Sequence, residues 1–470
     1  MRTLPRFFLF ICFLLILTVP PRARGEDRRE RIDLLVQGGT VVTMDGKGRM
    51  LENGAVAVRG ERIVAVGTAA DIAARYEAAR TVDATGRVVM PGLINTHTHV
   101  PMVLLRGLAD DLPLMEWLRQ YIFPAEAKNV DEDFVRWGTR LACLEMIQGG
   151  ITTFVDMYYF EDAIADETAK AGMRAVLGQA VLDFPAPDNK TWAEAMAASE
   201  KYLRRWKGHA LVTPAIAPHA PYTVSPDHLK EAHALSKKHE VPLIIHVAET
   251  EAEVKTIREK FKATPVAFLD GLGVLDERVL AAHSIWLDDD DVKTLARRSV
   301  GVAHCPHSNM KLASGVAPVP RLLKAGVPVG LGTDSAASNN VLNLWEEIDT
   351  AAKLHKLMAK DASVLSAREA LELATIGGAR AIRRDKDLGS LEAGKLADLI
   401  VVRMDGAHQT PLYNIYSQLV YATKFSDVET VVINGKRVMD KRKVLTVDEP
   451  AVLAKAREYA KRVRESLRRP

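Results

Sequence analysis

Eight short apolar runs recur along the chain, and each is continuous rather than alternating between apolar and polar residues. A strand whose two faces are both covered has this pattern, whereas a strand with one wet face alternates. Amphipathic stretches such as Asp131–Gln148 and Pro226–His239 lie between the runs. The pattern predicts buried parallel strands over Val88–Asn95, Thr152–Met157, Arg174–Ala180, Leu211–Ala217, Leu243–Val247, Val279–His283, Val300–His304 and Pro328–Thr333.

Eight such strands with helices between them, over about 250 residues, are typical of an α/β protein with a (β/α)₈ barrel of the TIM type. The alternative is a doubly wound open sheet. That sheet is disfavoured because no Gly-x-Gly-x-x-Gly motif opens any of the predicted helices. The barrel is therefore the predicted fold.

The segments on either side of the barrel alternate in polarity and carry turn residues. Asp33–Met44 and Ala55–Val66 precede it, and Ala397–Val402 and Val428–Ile433 follow it, the last ending in the hairpin signal Asn434-Gly435. We expect these ends to join into one small β-sandwich. The expected division is a leader (1–25), the first part of the sandwich (26–86), the barrel (87–388), the second part of the sandwich (389–448) and a terminal helix (449–470).

The first 25 residues have the layout of a secretory signal peptide. Arg2 and Arg6 precede the apolar run Phe7–Val19, two prolines end that run, and Ala23-Arg24-Gly25 offers a cleavage site. The run is too short for a comfortable membrane span. We expect an exported protein, periplasmic or extracellular, with no stable membrane insertion after cleavage; the alternative is an uncleaved N-terminal membrane anchor.

The charge of the chain gives no reason to expect nucleic acid as a partner. The sequence has 63 Lys and Arg against 60 Asp and Glu, and four of the arginines lie in the leader. The remaining 59 basic and 60 acidic side chains leave no basic excess for a polyanion or an anionic membrane. A small molecule is therefore the expected partner. The sequence leaves two further questions open: whether the chain forms a homo-oligomer, and whether Cys143 and Cys305 form a disulfide.

Side chains that can bind a metal fall at the ends of the predicted strands, where active sites of such barrels lie. His97 and His99 end the first strand, and residues i and i+2 of an extended segment face the same side, so both imidazoles can face one ion. His246, His283 and Asp334 end the fifth, sixth and eighth strands. Taken singly, each histidine could be a core residue and Asp334 a helix N-cap. Taken together, the set predicts a metal centre.

Two further observations concern this centre. Glu249 follows His246 by three residues and could transfer protons beside the ion. No lysine lies in Leu211–Tyr222, where a bridging carbamylated lysine would be expected in two-metal barrels, so one ion is favoured. The sequence His304-Cys305-Pro306-His307 looks like a soft-metal cluster, but we expect it to be the end of the seventh strand and its loop.

Four motifs carry a resemblance to a known family: Pro91–His99, Ala217–Tyr222, His246–Glu249 and Gly332–Asn340. Together they resemble the amidohydrolase superfamily. Within it, they look like the 5-methylthioadenosine/S-adenosylhomocysteine deaminase branch. The resemblance covers nearly the whole chain after the leader, including Gly389–Asp398.

The resemblance implies a deaminase in which hydroxide formed at one divalent ion, expected to be Zn²⁺, attacks an adenine-type nucleoside. It implies that His97, His99, His246 and Asp334 bind the ion. Glu249, His283 and Asp334 would act in catalysis, Glu249 as the proton shuttle and His283 as the residue that holds the attacking water. Glu126 and His219 would contact the nucleoside.

One position departs from the branch. Gln179 stands where the branch often has an arginine for an amino-acid carboxylate. Gln179 is thus a third substrate-binding candidate beside Glu126 and His219. Because it carries no positive charge, it favours 5-methylthioadenosine as the substrate over S-adenosylhomocysteine. The alternatives are a hydrolase of the same fold that acts on a triazine, a pterin or another aminopurine, and a barrel that binds metal or ligand without catalysis.

Overall fold

The structure is a computed structural model that describes Leu4 and residues 29–468. The predicted leader of residues 1–25 lies outside the described residues, Leu4 apart. The strands are β1 (Glu30–Val42), β2 (Met50–Arg59), β3 (Arg62–Thr68), β4 (Tyr76–Asp83), β5 (Arg87–Pro91), β6 (Leu93–Thr98), β7 (Ile151–Tyr158), β8 (Arg174–Val181), β9 (Val212–Pro218), β10 (Leu243–Val247), β11 (Val279–His283), β12 (Gly301–His304), β13 (Val329–Leu331), β14 (Leu399–Arg403), β15 (Val428–Ile433), β16 (Lys436–Asp440) and β17 (Lys443–Val444).

Helices connect the strands and cover the barrel. The α-helices are α1 (Ala69–Arg75), α2 (Leu114–Glu116), α3 (Phe123–Asn129), α4 (Glu132–Gln148), α5 (Glu161–Ala171), α6 (Trp192–Trp206), α7 (Pro226–His239), α8 (Glu251–Phe261), α9 (Pro265–Gly271), α10 (Asp289–Arg298), α11 (Pro306–Lys311), α12 (Val319–Lys324), α13 (Leu344–Ala359), α14 (Ala367–Leu373), α15 (Ile376–Ala381), α16 (Ile415–Tyr421) and α17 (Glu449–Arg468). A π-helical segment, Trp117–Ile122, joins α2 to α3. Among the described helices, none is both long and apolar enough to cross a membrane.

The eight strands β6 to β13 form one parallel sheet in sequence order, which is the nearly closed barrel that the apolar runs predict. The remaining nine strands form a separate mixed sheet, in which β5 pairs with β1 and with β14. Both ends of the described chain therefore contribute to the small domain, and the predicted fold class is confirmed. The individual domain boundaries given above stay predictions.

The apolar run Val88–Asn95, expected as one strand, is split at Gly92. Residues before Gly92 belong to the small sheet as β5, and those after it begin the barrel as β6. A Cβ atom on Gly92 would lie 2.1 Å from side-chain atoms of Thr152, so only glycine allows the chain to pass so close to β7. A continuous apolar pattern cannot reveal this change of sheet, because both halves are buried.

A buried ion pair connects the barrel to the small domain. Arg174 begins β8, Asp398 precedes β14, and their Nε and Oδ2 atoms lie 2.7 Å apart. The Arg174 side chain is 1% exposed and the Asp398 side chain 4%. Because each charge depends on the other for solvation, loss of one partner would cost about 3–5 kcal/mol of stability.

Candidate metal centre and active-site cavity

Five predicted side chains meet at the C-terminal end of the barrel. His97 lies in β6 and His99 directly follows it, while His246 and His283 lie in β10 and β11. Asp334 follows β13. Their ligand atoms form two groups, each within 4.8 Å, that share His97: one with His246 and His283, the other with His99 and Asp334. The separate strands thus converge on one spot.

The Asp334 carboxylate lies against the first-strand histidines. Its Oδ1 atom is 3.3 Å from Nε2 of His99 and 3.5 Å from Nε2 of His97. Burial alone would raise the pKa of Asp334, but the neighbouring imidazoles of His97 and His99 outweigh burial and hold that pKa well below its ordinary range. Asp334 is therefore an anion at neutral pH, as a metal ligand must be.

Hydrogen bonds determine which nitrogen of two of these rings is available. The Nδ1 atom of His99 donates to the Met157 carbonyl at 2.6 Å, and that of His246 donates to the His219 carbonyl at 2.8 Å. A carbonyl oxygen can only accept, so Nδ1 carries a proton in both rings and Nε2 is the nitrogen left to bind a metal. Such a backbone acceptor is the usual partner of a histidine that binds metal.

His97 is fully buried, and neither of its ring nitrogens has a hydrogen bond within the described residues. A buried polar atom without a partner is costly, and a cation at this spot would provide one. Burial lowers the pKa of His97 to about 4, which leaves the ring neutral and able to bind metal. Three imidazoles and one carboxylate are the donor set of a catalytic divalent ion of the zinc class, and these residues fit it.

Burial disfavours a proton on the rings of His97 and His246, whereas Asp334 favours one on the ring of His99. Burial lowers the pKa of His246 well below its ordinary value. Burial acts in the same direction on His99, but the hydrogen bond and charge of Asp334 outweigh it and raise the pKa of His99 to about 9. A cation that binds His99 must therefore displace a proton.

His283 and Glu249 face each other across the centre. The Nδ1 atom of His283 lies 2.9 Å from Oδ1 of Asn309, and its Nε2 atom lies 3.8 Å from Oε2 of Glu249. Burial raises the pKa of Glu249 above its ordinary value, which keeps a proton on the carboxyl to a higher pH. Both backbone N–H groups of Ala248 and Glu249 donate to Glu253, which fixes the segment that carries Glu249.

A cavity of about 670 Å³, its open mouth included, lies over these residues. That volume is in the range of small-molecule sites. Apolar side chains from the segment after β6 form much of its wall, Trp117 and Phe123 among them. Its polar lining consists of His99, Glu126, Tyr158, Tyr159, His219, Tyr222, His246, Glu249, His283, Asp334, Ser335 and Ser338.

The two predicted nucleoside contacts both line this cavity. Glu126 lies in α3 and accepts a hydrogen bond of 2.6 Å from the Tyr158 hydroxyl. Burial raises the pKa of Glu126 to about 7. His219 follows β9, its Nδ1 atom lies 3.0 Å from the Thr223 hydroxyl, and burial lowers its pKa to about 3. His219 is therefore a neutral ring beside His246.

The structure does not bring Gln179 into the cavity. Side chains alternate along β8, and Val176 and Ala180 lie on the interior side, so Gln179 points out between the barrel and its helices. Its amide donates to Asp188 at 2.8 Å and accepts from the Glu161 backbone at 3.3 Å. Gln179 thus serves a buried polar network rather than the wall of the site.

Several residues that support the site carry no signal in a single sequence. Ser308 and Ser338 donate to Oδ2 of Asp334, and Asn309 accepts from His283. Ser338 lies within the motif Gly332–Asn340 and could have been suspected. The other two follow the seventh strand, and only the fold shows that they reach the eighth and sixth.

Comparison with known families and proteins agrees with this geometry. The model described as the amidohydrolase family matches residues 88–438. A second model, described as an imidazolonepropionase-like composite domain of bacteria, matches residues 54–76. The first match covers most of the chain and spans every strand of the barrel.

One curated relative is a 5-methylthioadenosine/S-adenosylhomocysteine deaminase from Syntrophobacter fumaroxidans, 49% identical over 434 residues, which are 92% of this chain and 99% of the relative. A solved structure of an adenosine deaminase from Xanthomonas campestris with bound zinc is 41% identical in sequence and has a TM-score of 0.92. The match covers 93% of this chain and 100% of that one. The structure of a zinc-complexed atrazine chlorohydrolase from Arthrobacter aurescens is 25% identical in sequence and has a TM-score of 0.85. That match covers 91% of this chain and 100% of the other.

Proposed function

Because the chain belongs to the amidohydrolase family, we propose that it is a metal-dependent deaminase that hydrolyses the amino group from an adenine-type nucleoside. One observation carries this proposal. Four metal-capable residues (His99, His246, His283 and Asp334), the carboxyl group of Glu249 and the two predicted nucleoside contacts Glu126 and His219 line one cavity, and a ring nitrogen of His97 lies within 4.8 Å of the ligand atoms of those four. The relatives named as deaminases of methylthioadenosine and of adenosine support the same activity.

His97, His99, His246 and Asp334 would hold one divalent ion, and zinc is the proposed metal because a similar adenosine deaminase has bound zinc. A bound ion of this kind acidifies water, so that a nucleophile is available near neutral pH. The remaining chemistry belongs to the side chains around it.

Asp334 and His283 would orient the attacking water, with Asp334 accepting its proton. Glu249, whose pKa burial raises, would donate a proton to a ring nitrogen as the water oxygen adds to the amino-bearing carbon. A second proton transfer to the amino group then allows ammonia to leave, and the carbon–oxygen bond remains in the product. The substrate loses ammonia and gains water, so the reaction needs no other reactant.

The charge of the cavity favours an uncharged nucleoside such as 5-methylthioadenosine. Its described lining includes three carboxyl groups, those of Glu126, Glu249 and Asp334, and neither lysine nor arginine. The amino-acid carboxylate of S-adenosylhomocysteine would therefore meet no lysine or arginine side chain there, and an unpaired charge in a cavity weakens binding. Adenosine and 5-methylthioadenosine have no such group.

The test measures product release by the zinc-loaded full chain: ammonia from 5-methylthioadenosine, adenosine, S-adenosylhomocysteine, guanine and a pterin, and chloride from atrazine. We expect kcat/KM for 5-methylthioadenosine to exceed that for S-adenosylhomocysteine by roughly tenfold or more. Glu249→Gln removes the proton donor and should lower kcat about 100-fold or more, whereas Glu251→Gln on the exposed start of α8 serves as its control. Turnover of atrazine and of none of the other compounds would favour the alternative, a triazine hydrolase. The similar fold of the atrazine chlorohydrolase is the observation that supports this alternative.

The location of the protein is a separate proposal. The layout of residues 1–25, with arginines before an apolar run and small residues at its end, supports export to the periplasm or beyond. Mass spectrometry of the N-terminus after expression in a bacterium with an outer membrane tests it. A periplasmic chain that begins near Glu26 is expected, and an intact N-terminus in the membrane fraction would favour an anchor instead.

A further inference from the structure

Glu347 is a carboxylic acid with no exposed surface, and it lies outside the cavity on α13. Its two oxygens receive donors from two different segments, the start of α11 and the stretch that follows β13. Oε2 accepts from the His307 backbone N–H at 3.1 Å, and Oε1 accepts from the Asn339 side-chain amide at 2.6 Å. Burying a carboxyl group is costly unless hydrogen bonds compensate it, as these two do, and the two segments that Glu347 joins both reach the metal centre.

The Asn339 contact leads to Asp334. The same amide nitrogen of Asn339 also donates to the carbonyl of Thr333, the residue before Asp334, at 2.7 Å. Asp334 itself has a left-handed backbone, with φ of 60°, a conformation that surrounding contacts must maintain. Glu347 therefore holds Asn339 where Asn339 can hold the backbone that aims Asp334.

The hydrogen bond from His307 connects Glu347 to Asp334 and also to His283, through the residues that follow His307. His307 is in the first turn of α11, and the next two residues of that helix carry the contacts. Ser308 donates to Oδ2 of Asp334 at 2.6 Å, and Asn309 accepts from Nδ1 of His283 at 2.9 Å. A displacement of the start of α11 would thus move both of these partners at once.

We propose that Glu347 is a positioning residue that aligns Asp334 and His283 with each other through these two segments. A carboxyl group suits this place because each oxygen faces an N–H donor. Burial raises the pKa of Glu347 well above its ordinary range, and in either protonation state both oxygens keep lone pairs for these donors. A glutamine would have to turn its own N–H₂ towards either His307 or Asn339, and one contact would be lost.

The test compares Glu347→Gln with Glu346→Gln, an exposed acid on the preceding residue of the same helix. Loss of such a supporting contact typically lowers metal affinity or activity about 10- to 100-fold. We expect Glu347→Gln to lower kcat and to raise the Kd for Zn²⁺ by about 10-fold or more, with KM within about twofold because Glu347 does not line the cavity. Glu346→Gln should leave all three values unchanged.

A merely structural role predicts a different pattern. In that case Glu347→Gln lowers the midpoint of thermal unfolding of the metal-free protein, while kcat and the Kd for Zn²⁺ stay as in the unaltered chain. That result would overturn the proposal. The kinetic readout rests on the proposed deaminase activity, but the Kd for Zn²⁺ does not, so a chain without turnover still gives an answer and the two failures are distinguishable.

A second variant keeps the test intact if Glu347→Gln does not fold. Asn339→Ala removes the amide that joins Glu347 to the Thr333 carbonyl, and it should raise the Kd for Zn²⁺ in the same way. Where both single variants fold, the double variant should be little worse than either one, because the two residues act through one chain of contacts. Fully additive losses would contradict the proposed connection.

Discussion

The side chain of Asn95 makes two hydrogen bonds with Thr333. Its amide donates to the Thr333 hydroxyl at 2.8 Å, and its carbonyl oxygen accepts from the Thr333 backbone N–H at 3.0 Å. Asn95 lies on the first strand of the barrel and Thr333 follows the last, so this pair joins the two edges of the sheet. Beside it, the Asp334 backbone donates to the His97 carbonyl at 2.9 Å. The contact that closes the barrel therefore also brings two metal-capable residues together.

Asn95→Ala should weaken both the fold and the metal centre. It leaves the buried Thr333 N–H without its acceptor, which costs about 1–3 kcal/mol in the free energy of unfolding, and it should raise the Kd for Zn²⁺ about 10-fold. Denaturant unfolding and metal titration measure the two effects. Thr333→Val removes only the hydroxyl and should give a smaller loss in both; a larger loss than that of Asn95→Ala would contradict this account.

Metal removal should destabilise the protein as well as inactivate it. An ion that binds only the folded chain stabilises it by about 4 kcal/mol at a free concentration 1,000 times its Kd, so a chelator should lower the midpoint of unfolding. One zinc per chain should restore both the midpoint and the activity. Two ions bound per chain at saturation would argue against a single-ion centre.

Zinc binding should release a proton. Without a cation, Asp334 holds the pKa of His99 at about 9, so at neutral pH the ring is charged and must lose its proton to bind. The apparent Kd should therefore fall as the pH rises towards about 9. Calorimetry in buffers of different ionisation enthalpy measures the proton count, and binding without proton release at pH 7 would refute the proposed ligand.

The stability of the metal-free protein should depend on pH through Glu126. Burial raises the pKa of this carboxyl from 4.5 to about 7, so between these values the folded chain keeps a proton that the unfolded chain has lost. The free energy of unfolding therefore falls as the pH rises through this window, by on the order of 3 kcal/mol from this group. Glu126→Gln lacks that decline, so the variant should gain stability relative to the unaltered chain between about pH 5 and pH 8.

Denaturant unfolding of the metal-free proteins at several pH values measures this difference. Glu116→Gln, an exposed acid at the end of α2, provides the control and should show no such trend. If the difference between Glu126→Gln and the unaltered chain is flat across this range, the carboxyl does not titrate as its burial implies.

Gln179→Ala should affect stability rather than substrate binding. The amide of Gln179 is bonded to Asp188 and to the Glu161 backbone, and its loss removes one of the donors to Asp188 and leaves the Glu161 backbone N–H without its acceptor, at a cost of about 1–3 kcal/mol. KM for the nucleoside should stay within about twofold. Gln120→Ala, at an exposed position of the π-helical segment, is the control, and a rise in KM for Gln179→Ala at unchanged stability would show that Gln179 does reach the substrate.

Much of the site was predictable because its signals are local. Continuous apolar runs mark strands with two covered faces, and each of the eight predicted runs overlaps a strand of the barrel. The spacing of His97 and His99 puts both rings on one side of an extended segment. His246, His283 and Asp334 follow from the rule that polar residues at the carboxyl ends of barrel strands face the site.

The misplaced features depend on neighbours that are distant in sequence. Gly92 separates two sheets because Thr152 of β7 lies against it, and nothing within the apolar run records that approach. Gln179 was expected to contact the substrate because of its position in the chain after Arg174. The alternation of side chains along β8 instead turns Gln179 towards Asp188 and away from the cavity. Cys143 and Cys305, left open by the sequence, are buried and unpaired.

By itself, the order of residues determined the strands, the barrel and the identity of the metal-capable side chains, since each of these follows from periodicity and chemistry within a few positions of the chain. Tertiary structure alone decided that Glu347 joins the start of α11 to the stretch after β13, that Tyr158 donates to Glu126 and that Asn95 bonds to Thr333. The reason is physical: a hydrogen bond requires two groups within about 3 Å of each other, and for residues on different strands only the packed fold determines that distance.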